Sequence, residues 1–237
     1  MNKIIIAFIL LAGLNSCSKD GYFPCIRGKG GKVTETRVLS EFTKIDFQLP
    51  GEIEVVKGDK FEAAVAGYEN QLSEVRTRTS GGRLIIDSDR CLKNTDFHLV
   101  VTLPHLNSLK LAGSARAEVG DGFTDDEMEF SIAGSGNITA PVISHNVMAE
   151  ISGSGNILLS GIADKLDASI SGSGKIKAFD LQVKQLEARI SGSGDVESFV
   201  SERIDAQISG SGSVRYKGSP GTVNSQVSGS GKVVKVN

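Results

Sequence analysis

Through the second half of the chain, apolar and polar side chains alternate one for one, break at a Gly-Ser-Gly, and resume. The unit recurs seven times, as LAGSARA (111–117), IAGSGNI (132–138), ISGSGNI (151–157), ISGSGKI (170–176), ISGSGDV (190–196), ISGSGSV (208–214) and VSGSGKV (227–233). Successive starts lie 21, 19, 19, 20, 18 and 19 residues apart, and a repeat of that period marks a stacked, quasi-one-dimensional architecture. With the first motif residue as position zero, the column four before holds Met128, Val147, Leu166, Leu186, Ile204 and Val223. Two before stand Phe130, Ala149, Ala168, Ala188, Ala206 and Ser225, and position zero is Ile or Val in the last six units. These columns face a core. Between them run two polar columns facing water: Glu129, Met148, Asp167, Glu187, Asp205 and Asn224 three before, and Ser131, Glu150, Ser169, Arg189, Gln207 and Gln226 one before.

The alternation resumes six residues after position zero, so strand segments flank each Gly-Ser-Gly. Glycine inside a strand pattern marks a bend or a close backbone approach, which makes Gly134, Gly136, Gly153, Gly155, Gly172, Gly174, Gly192, Gly194, Gly210, Gly212, Gly229 and Gly231 the inside of a corner. About 19 residues at ~3.3 Å each span ~63 Å, enough for one circuit of a narrow core and too short for a βαβ unit. The pattern therefore predicts an all-β parallel β-helix of ~19-residue coils, favoured over a meander sandwich. Variation in period places loops at the end of the coil away from the glycines.

Residues 33–110 are strand-rich but irregular, with short alternating runs parted by Pro50-Gly51, Gly58-Asp59 and Gly81-Gly82. The only helix candidate is weak and lies at 68–75. Placing Phe47 at position zero puts Ile53 six after and Val55 eight after, in step with the later units, so this part is either degenerate coils or a capping sheet. In both readings it belongs with 111–237 in one domain, 33–237, and covers an end of the stack.

Upstream, residues 1–16 read as a signal peptide: Lys3, then the apolar run IIIAFILLAGL, too short to span a bilayer. The run ends in LNSC, which resembles a bacterial lipobox with Cys17 as the lipidated residue. The polar stretch 17–32 reads as a tether. Cys25 and Cys91 remain, in a compartment that permits disulfides, and the sequence leaves open whether they are bridged or free.

Composition changes this picture little. The chain has 237 residues, 28 of them Gly and none Trp, with a formal charge of −2, and without a basic stripe or an aromatic platform it is not expected to bind nucleic acid. The glycine motifs lack the Ser or Thr that must follow a Walker lysine, and Ser173 lacks the glycines of a nucleophile elbow. Calcium β-rolls repeat a nonapeptide in direct succession, whereas here one motif occurs per ~19 residues and two lysines stand in the column after SGSG. No metal or cofactor is expected, and His98, His105 and His145 show no ligand spacing. The enzymatic candidate is the acidic column. Stacking would hold Asp167, Glu187 and Asp205 ~5 Å apart, a separation of the retaining-glycosidase kind, against which stands a solvated face relieved by Arg189 and nearby lysines.

Glu-Thr-Arg at 35–37, FTKID at 42–46, GEIEVVKGD at 51–59, LPHL at 103–106 and the SGSG units together resemble the auto-transporter adhesin, head GIN domain family of bacterial, chiefly Bacteroidetes, lipoproteins and secreted proteins. The resemblance spans about residues 34–236. It implies an all-β fold with a β-helical region and an adhesive role, and it carries over no catalytic residue. Ala115 departs from the motif, replacing the second glycine of the first unit. The expectation is a non-enzymatic protein, lipid-anchored to the outer membrane on its periplasmic face or at the cell surface, presenting a repetitive β-surface to a glycan or surface protein. The alternatives are a polysaccharide hydrolase or lyase, and a structural role in which solenoid ends join into oligomers.

Overall fold

The computed structural model describes residues 24–237. In chain order its elements are β1 (Ile26–Arg27), β2 (Lys32–Val38), β3 (Lys44–Phe47), β4 (Glu52–Lys57), β5 (Glu62–Tyr68), the short helix α1 (Glu69–Leu72), β6 (Arg76–Ser80), β7 (Arg83–Asp87), β8 (Leu92–Lys93), β9 (His98–Leu103), β10 (Ser108–Gly113) and β11 (Arg116–Val119). Then come β12 (Glu127–Gly134), β13 (Asn137–Gly153), β14 (Asn156–Gly172), β15 (Lys175–Gly192), β16 (Asp195–Gly210), β17 (Ser213–Gly218), β18 (Thr222–Gly229) and β19 (Lys232–Lys235).

From β12 onward the chain winds as a parallel β-solenoid. Position zero forms one ladder in which Ile132 pairs with Ile151, Ile151 with Ile170, Ile170 with Ile190, Ile190 with Ile208, and Ile208 with Val227. A meander would set other sequence between equivalent motifs, and none intervenes. Strands β13 to β16 run 16 to 18 residues because the backbone of almost every residue pairs with a neighbouring coil. The alternation fills the interior as expected, with Leu166, Ala168 and Ile170 at most 1% exposed. Burying such side chains stabilises the fold by about 1.5–3 kcal/mol for each Leu or Ile.

The irregular N-terminal part is both coils and cap. β3 and β4 make a coil in register with β10 and β11, Phe47 opposite Leu111 and Ile53 opposite Ala117, so Phe47 does occupy position zero. On its other side lies the coil of β7 and β9, also parallel. A later segment is thus stacked outside an earlier one. The pairing then turns antiparallel: β6 runs along β7, and β5 along both β9 and β2, closing that end. At the other end Val223 and Val227 are each 42% exposed, whereas Ile204 and Ile208, their equivalents one coil inward, are at most 2% exposed.

The tether expected over 17–32 needs correction in its second half. Cys25 is bonded to Cys91, and β1 pairs with β8. Fully buried Gln71 donates from Nε2 to the carbonyls of Ile26 and Lys93, at 2.9 Å each. These long-range partners make residues from Cys25 onward part of the domain despite their polar, glycine-rich spelling. The signal peptide expected over 1–16 and the expected lipidation residue Cys17 lie outside the described residues, among which no helix is long and apolar enough to cross a membrane.

Candidate functional site

Each coil turns at its glycine motif, and the geometry there explains the spelling. The first glycine takes a positive φ, 131° at Gly153 and 129° at Gly172. A Cβ on Gly172 would sit 2.3 Å from the carbonyl oxygen of Gly153. That carbonyl accepts from the amide of Ser173 at 2.9 Å, which carries the ladder through the bend. The second glycine is excluded on space alone, since a Cβ on Gly174 would lie 2.6 Å from Ile151 Cγ2 and 2.7 Å from the Gly155 oxygen. The three atoms nearest a Cβ at Gly172 all belong to Gly153 on the coil before it, so the tightest contact lies on that side. Ala115 is accommodated because the coil beneath turns differently. There the positive φ, 136°, falls at Gly51, level with Ala115 rather than two residues earlier, and Gly113 relaxes to 82° with nothing within 4 Å of a would-be Cβ.

Outside the core, the column three before position zero forms one line across the stack. It runs Arg83, Lys44, Ser108, Glu129, Met148, Asp167, Glu187, Asp205, Asn224, each in register with the next. The repeats revealed six of these residues. Of the three from the N-terminal part, Ser108 precedes the degenerate unit at Leu111, while Lys44 and Arg83 lie on coils that lack the motif, although Phe47 at position zero already places Lys44 three before it. The line begins cationic and becomes acidic, broken by Met148 in the middle.

Asp167, Glu187 and Asp205 are stacked as anticipated, but each is bound to a cation. Arg189 Nη1 donates to Asp167 at 2.9 Å and Arg189 Nη2 pairs with Glu187, while Lys165 Nζ donates to Glu187 at 2.8 Å. Arg203 and Asn224 each donate to Asp205 Oδ1 at 2.9 Å. The hydrogen bond from Lys165 holds Glu187 below the usual carboxylate range, and Arg203 with Asn224 pulls Asp205 down to about 2. A glycosidase acid must instead keep its proton near neutrality, by a raised pKa. Asp167, Glu187 and Asp205 do stand on successive coils, but the shifts at Glu187 and Asp205 have the opposite sign.

Beside Met148 the face sinks into a cavity of about 600 Å³. Its rim includes Lys44, Asn107, Glu129, Asn146, Asp167 and Lys165, and Met148, 48% exposed, lines it as well. Burial acts to raise the Glu129 pKa, but hydrogen bonds from Lys110 at 2.7 Å and Ser108 at 3.0 Å outweigh it and leave the carboxylate lowered. The histidines lie elsewhere on the surface: His98 by Glu52, His105 on Asp125, and His145 on Asp164.

Solved structures share this architecture. One from Bacteroides fragilis, described as "a putative adhesin", is 24% identical with a TM-score of 0.82, and the match covers 89% of this chain and 100% of that one. A second, from Parabacteroides distasonis and described as a "Putative lipid binding protein", is 26% identical with a TM-score of 0.75, over 90% of this chain and all of that one. A third, a "putative adhesin" from Parabacteroides merdae, is 22% identical with a TM-score of 0.71, over 90% and 99%. No curated protein matches the sequence. The family model that matches covers residues 41–220, with the corner glycines from Gly134 to Gly212 and the polar line from Arg83 and Lys44 to Asp205, and by that match the chain belongs to the family described as "Putative auto-transporter adhesin, head GIN domain".

Proposed function

We propose that this protein is a non-enzymatic adhesive component of the cell envelope, lipid-anchored through Cys17 to the outer membrane, and that it binds a glycan or surface protein through the polar face of its solenoid. One observation carries the reading. The outer face is a ruled line of fixed charges whose carboxylates are neutralised in place by Lys110, Lys165, Arg189 and Arg203, an arrangement suited to recognition and poorly suited to proton donation. Family membership points the same way.

The test has two arms. Full-length chain expressed on cells should promote their attachment to glycan- or protein-coated surfaces, and Arg189→Glu, which sets a like charge between Asp167 and Glu187, should weaken attachment. Unchanged attachment with and without the protein would sink the adhesive reading. Cys17→Ala should release the protein from the membrane fraction, and its retention there would refute the anchor.

A further inference from the structure

The cavity beside Met148 has the chemistry of a site for an uncharged sugar, and we infer that it is the ligand-binding subsite of this face. The inference rests on the adhesive reading above and adds to it a place and a ligand class.

The argument starts from what interrupts the line. Glu129 and Asp167 stand directly on either side of Met148, so an apolar side chain lies between two carboxylates on adjacent coils, each ~4.8 Å away. Met148 is 48% exposed although one coil further on its column returns to an acid. A half-exposed Met side chain in a polar groove offers an adaptable apolar contact, while the groups around it offer hydrogen bonds. That pairing, an apolar platform ringed by a few placed polar groups, is what small-molecule sites require, and about 600 Å³ lies in their usual size range. It also matches a pyranose, with its C–H faces and its peripheral hydroxyls.

The polar groups are held in place beforehand. Glu129 is fixed by Lys110 and Ser108, and Asp167 by Arg189 at 2.9 Å. Each carboxylate keeps lone pairs for a ligand hydroxyl, and the Asn107 and Asn146 amides add donors as well as acceptors. Charge selects among ligand classes. Two ammonium groups in the lining, Lys44 and Lys165, face three carboxylates, Glu127, Glu129 and Asp167, so an acidic sugar gains nothing on balance. A basic peptide is also disfavoured, because Glu129 and Asp167 already have cationic partners and a further cation would compete with Lys110 and Arg189. A neutral sugar needs neither exchange.

The experiment uses the full-length chain in detergent, with ligand-observed NMR and calorimetry against cellobiose, mannotriose and lactose as neutral probes, digalacturonate as an acidic one and tetralysine as a basic one. A neutral probe should bind, and Met148→Gln, which keeps the volume but removes the apolar contact, should weaken it at least tenfold with the melting temperature unchanged, since the side chain is half exposed. Asn146→Ala gives a second, gentler readout, expected at several-fold. Ser171→Lys, on the same face but outside the cavity, should leave binding as it was. The inference is overturned if no neutral probe binds while cell attachment persists, if binding ignores both cavity variants, or if digalacturonate or tetralysine binds in place of the sugars. Loss of attachment to every surface would instead overturn the adhesive reading, so the two failures are distinguishable.

Discussion

Each coil has two kinds of corner, and they are held by different forces. At the glycine corner the backbone hydrogen bonds run on without a gap, Ser173 to Gly153 and Lys175 to Gly155, and a carbonyl oxygen occupies the space a Cβ would need. At the far corner the ladder skips. Asp164 and Lys184 have no backbone partner in the register between β14 and β15, and the alignment slips near Phe179–Leu181, where the 20-residue coil places its additional residue. Side chains hold that corner: His145 Nδ1 lies 2.6 Å from Asp164 Oδ2, and Lys184 Nζ 2.7 Å from Asp164 Oδ1. One corner therefore fixes the sequence and the other absorbs its variation.

The comparison is broken most directly at Gly172. Gly172→Val combines overpacking of about 1–3 kcal/mol with backbone strain of about 1–3 kcal/mol at its positive φ, so a loss of about 2–6 kcal/mol is expected. Ser171→Val, one residue earlier and exposed, should change stability by less than about 0.5 kcal/mol. Urea unfolding of the pair measures both. Equal losses would mean that the glycine carries no special packing.

A Gly-Ser insertion ranks next. Placed after Ser173 it should break the two hydrogen bonds just named and lower stability by about 1–3 kcal/mol. The same dipeptide between Phe179 and Asp180 enlarges an existing bulge and should cost under about 1 kcal/mol, as loop lengthening does. Similar melting temperatures for the two insertions would erase the distinction between the corners.

How much of this was readable beforehand follows the same division. The glycine corner and the core columns were legible because stacking repeats one local environment coil after coil, and a repeated environment leaves a repeated spelling. The polar line was legible from Glu129 onward for that reason. What was not legible depends on partners chosen over long distances. Nothing local tells β7 and β9 to stack outside β3 and β4, since all four alternate alike. Nor does the glycine-rich spelling around Cys25 disclose that Gln71 holds its backbone. The cavity escaped notice because Met148, read alone, is one exception in an acidic column. Its meaning appears once Lys44, Asn107 and Asn146 are gathered around it.

Gly161 tests whether the far corner is as permissive as it looks. Its φ is 112°, and a Cβ there would lie 2.1 Å from the Val142 oxygen, a clash as severe as at Gly172. Yet its partners in register, Val142 and Leu181, both carry side chains, and the alignment already slips beside it. Gly161→Ala should therefore cost about 1 kcal/mol, with the bulge shifting to relieve it, and clearly less than Gly172→Ala in parallel melts. A larger loss at Gly161 would show that this corner, too, is fixed by its backbone.

The smallest effect is also the most selective, because only the far corner is held by groups that titrate near neutrality. The hydrogen bond to Asp164, aided by the charges of Asp164 and Asp126, raises the His145 pKa above its ordinary value, against the opposing charge of Lys184. A raised pKa in the folded state means that this contribution is complete below about pH 6.5 and fades as pH climbs through the raised value. Asp164 moves the other way. Lys184, with His145, holds its pKa down, so its contribution is present above about pH 4 and fades as pH falls through the lowered value. Between those limits the corner is tightest. Since all three groups are exposed, the energy involved is small and salt-sensitive, and hydrogen exchange is the measurement that resolves it. After correction for intrinsic rates, amides of 143–146 and 162–165 should open more readily at pH 8.5 than at pH 6, while those of 172–175 at the glycine corner should not change. His145→Gln should abolish the difference. Equal pH dependence at both corners would show that the ion pairs do not hold the far one.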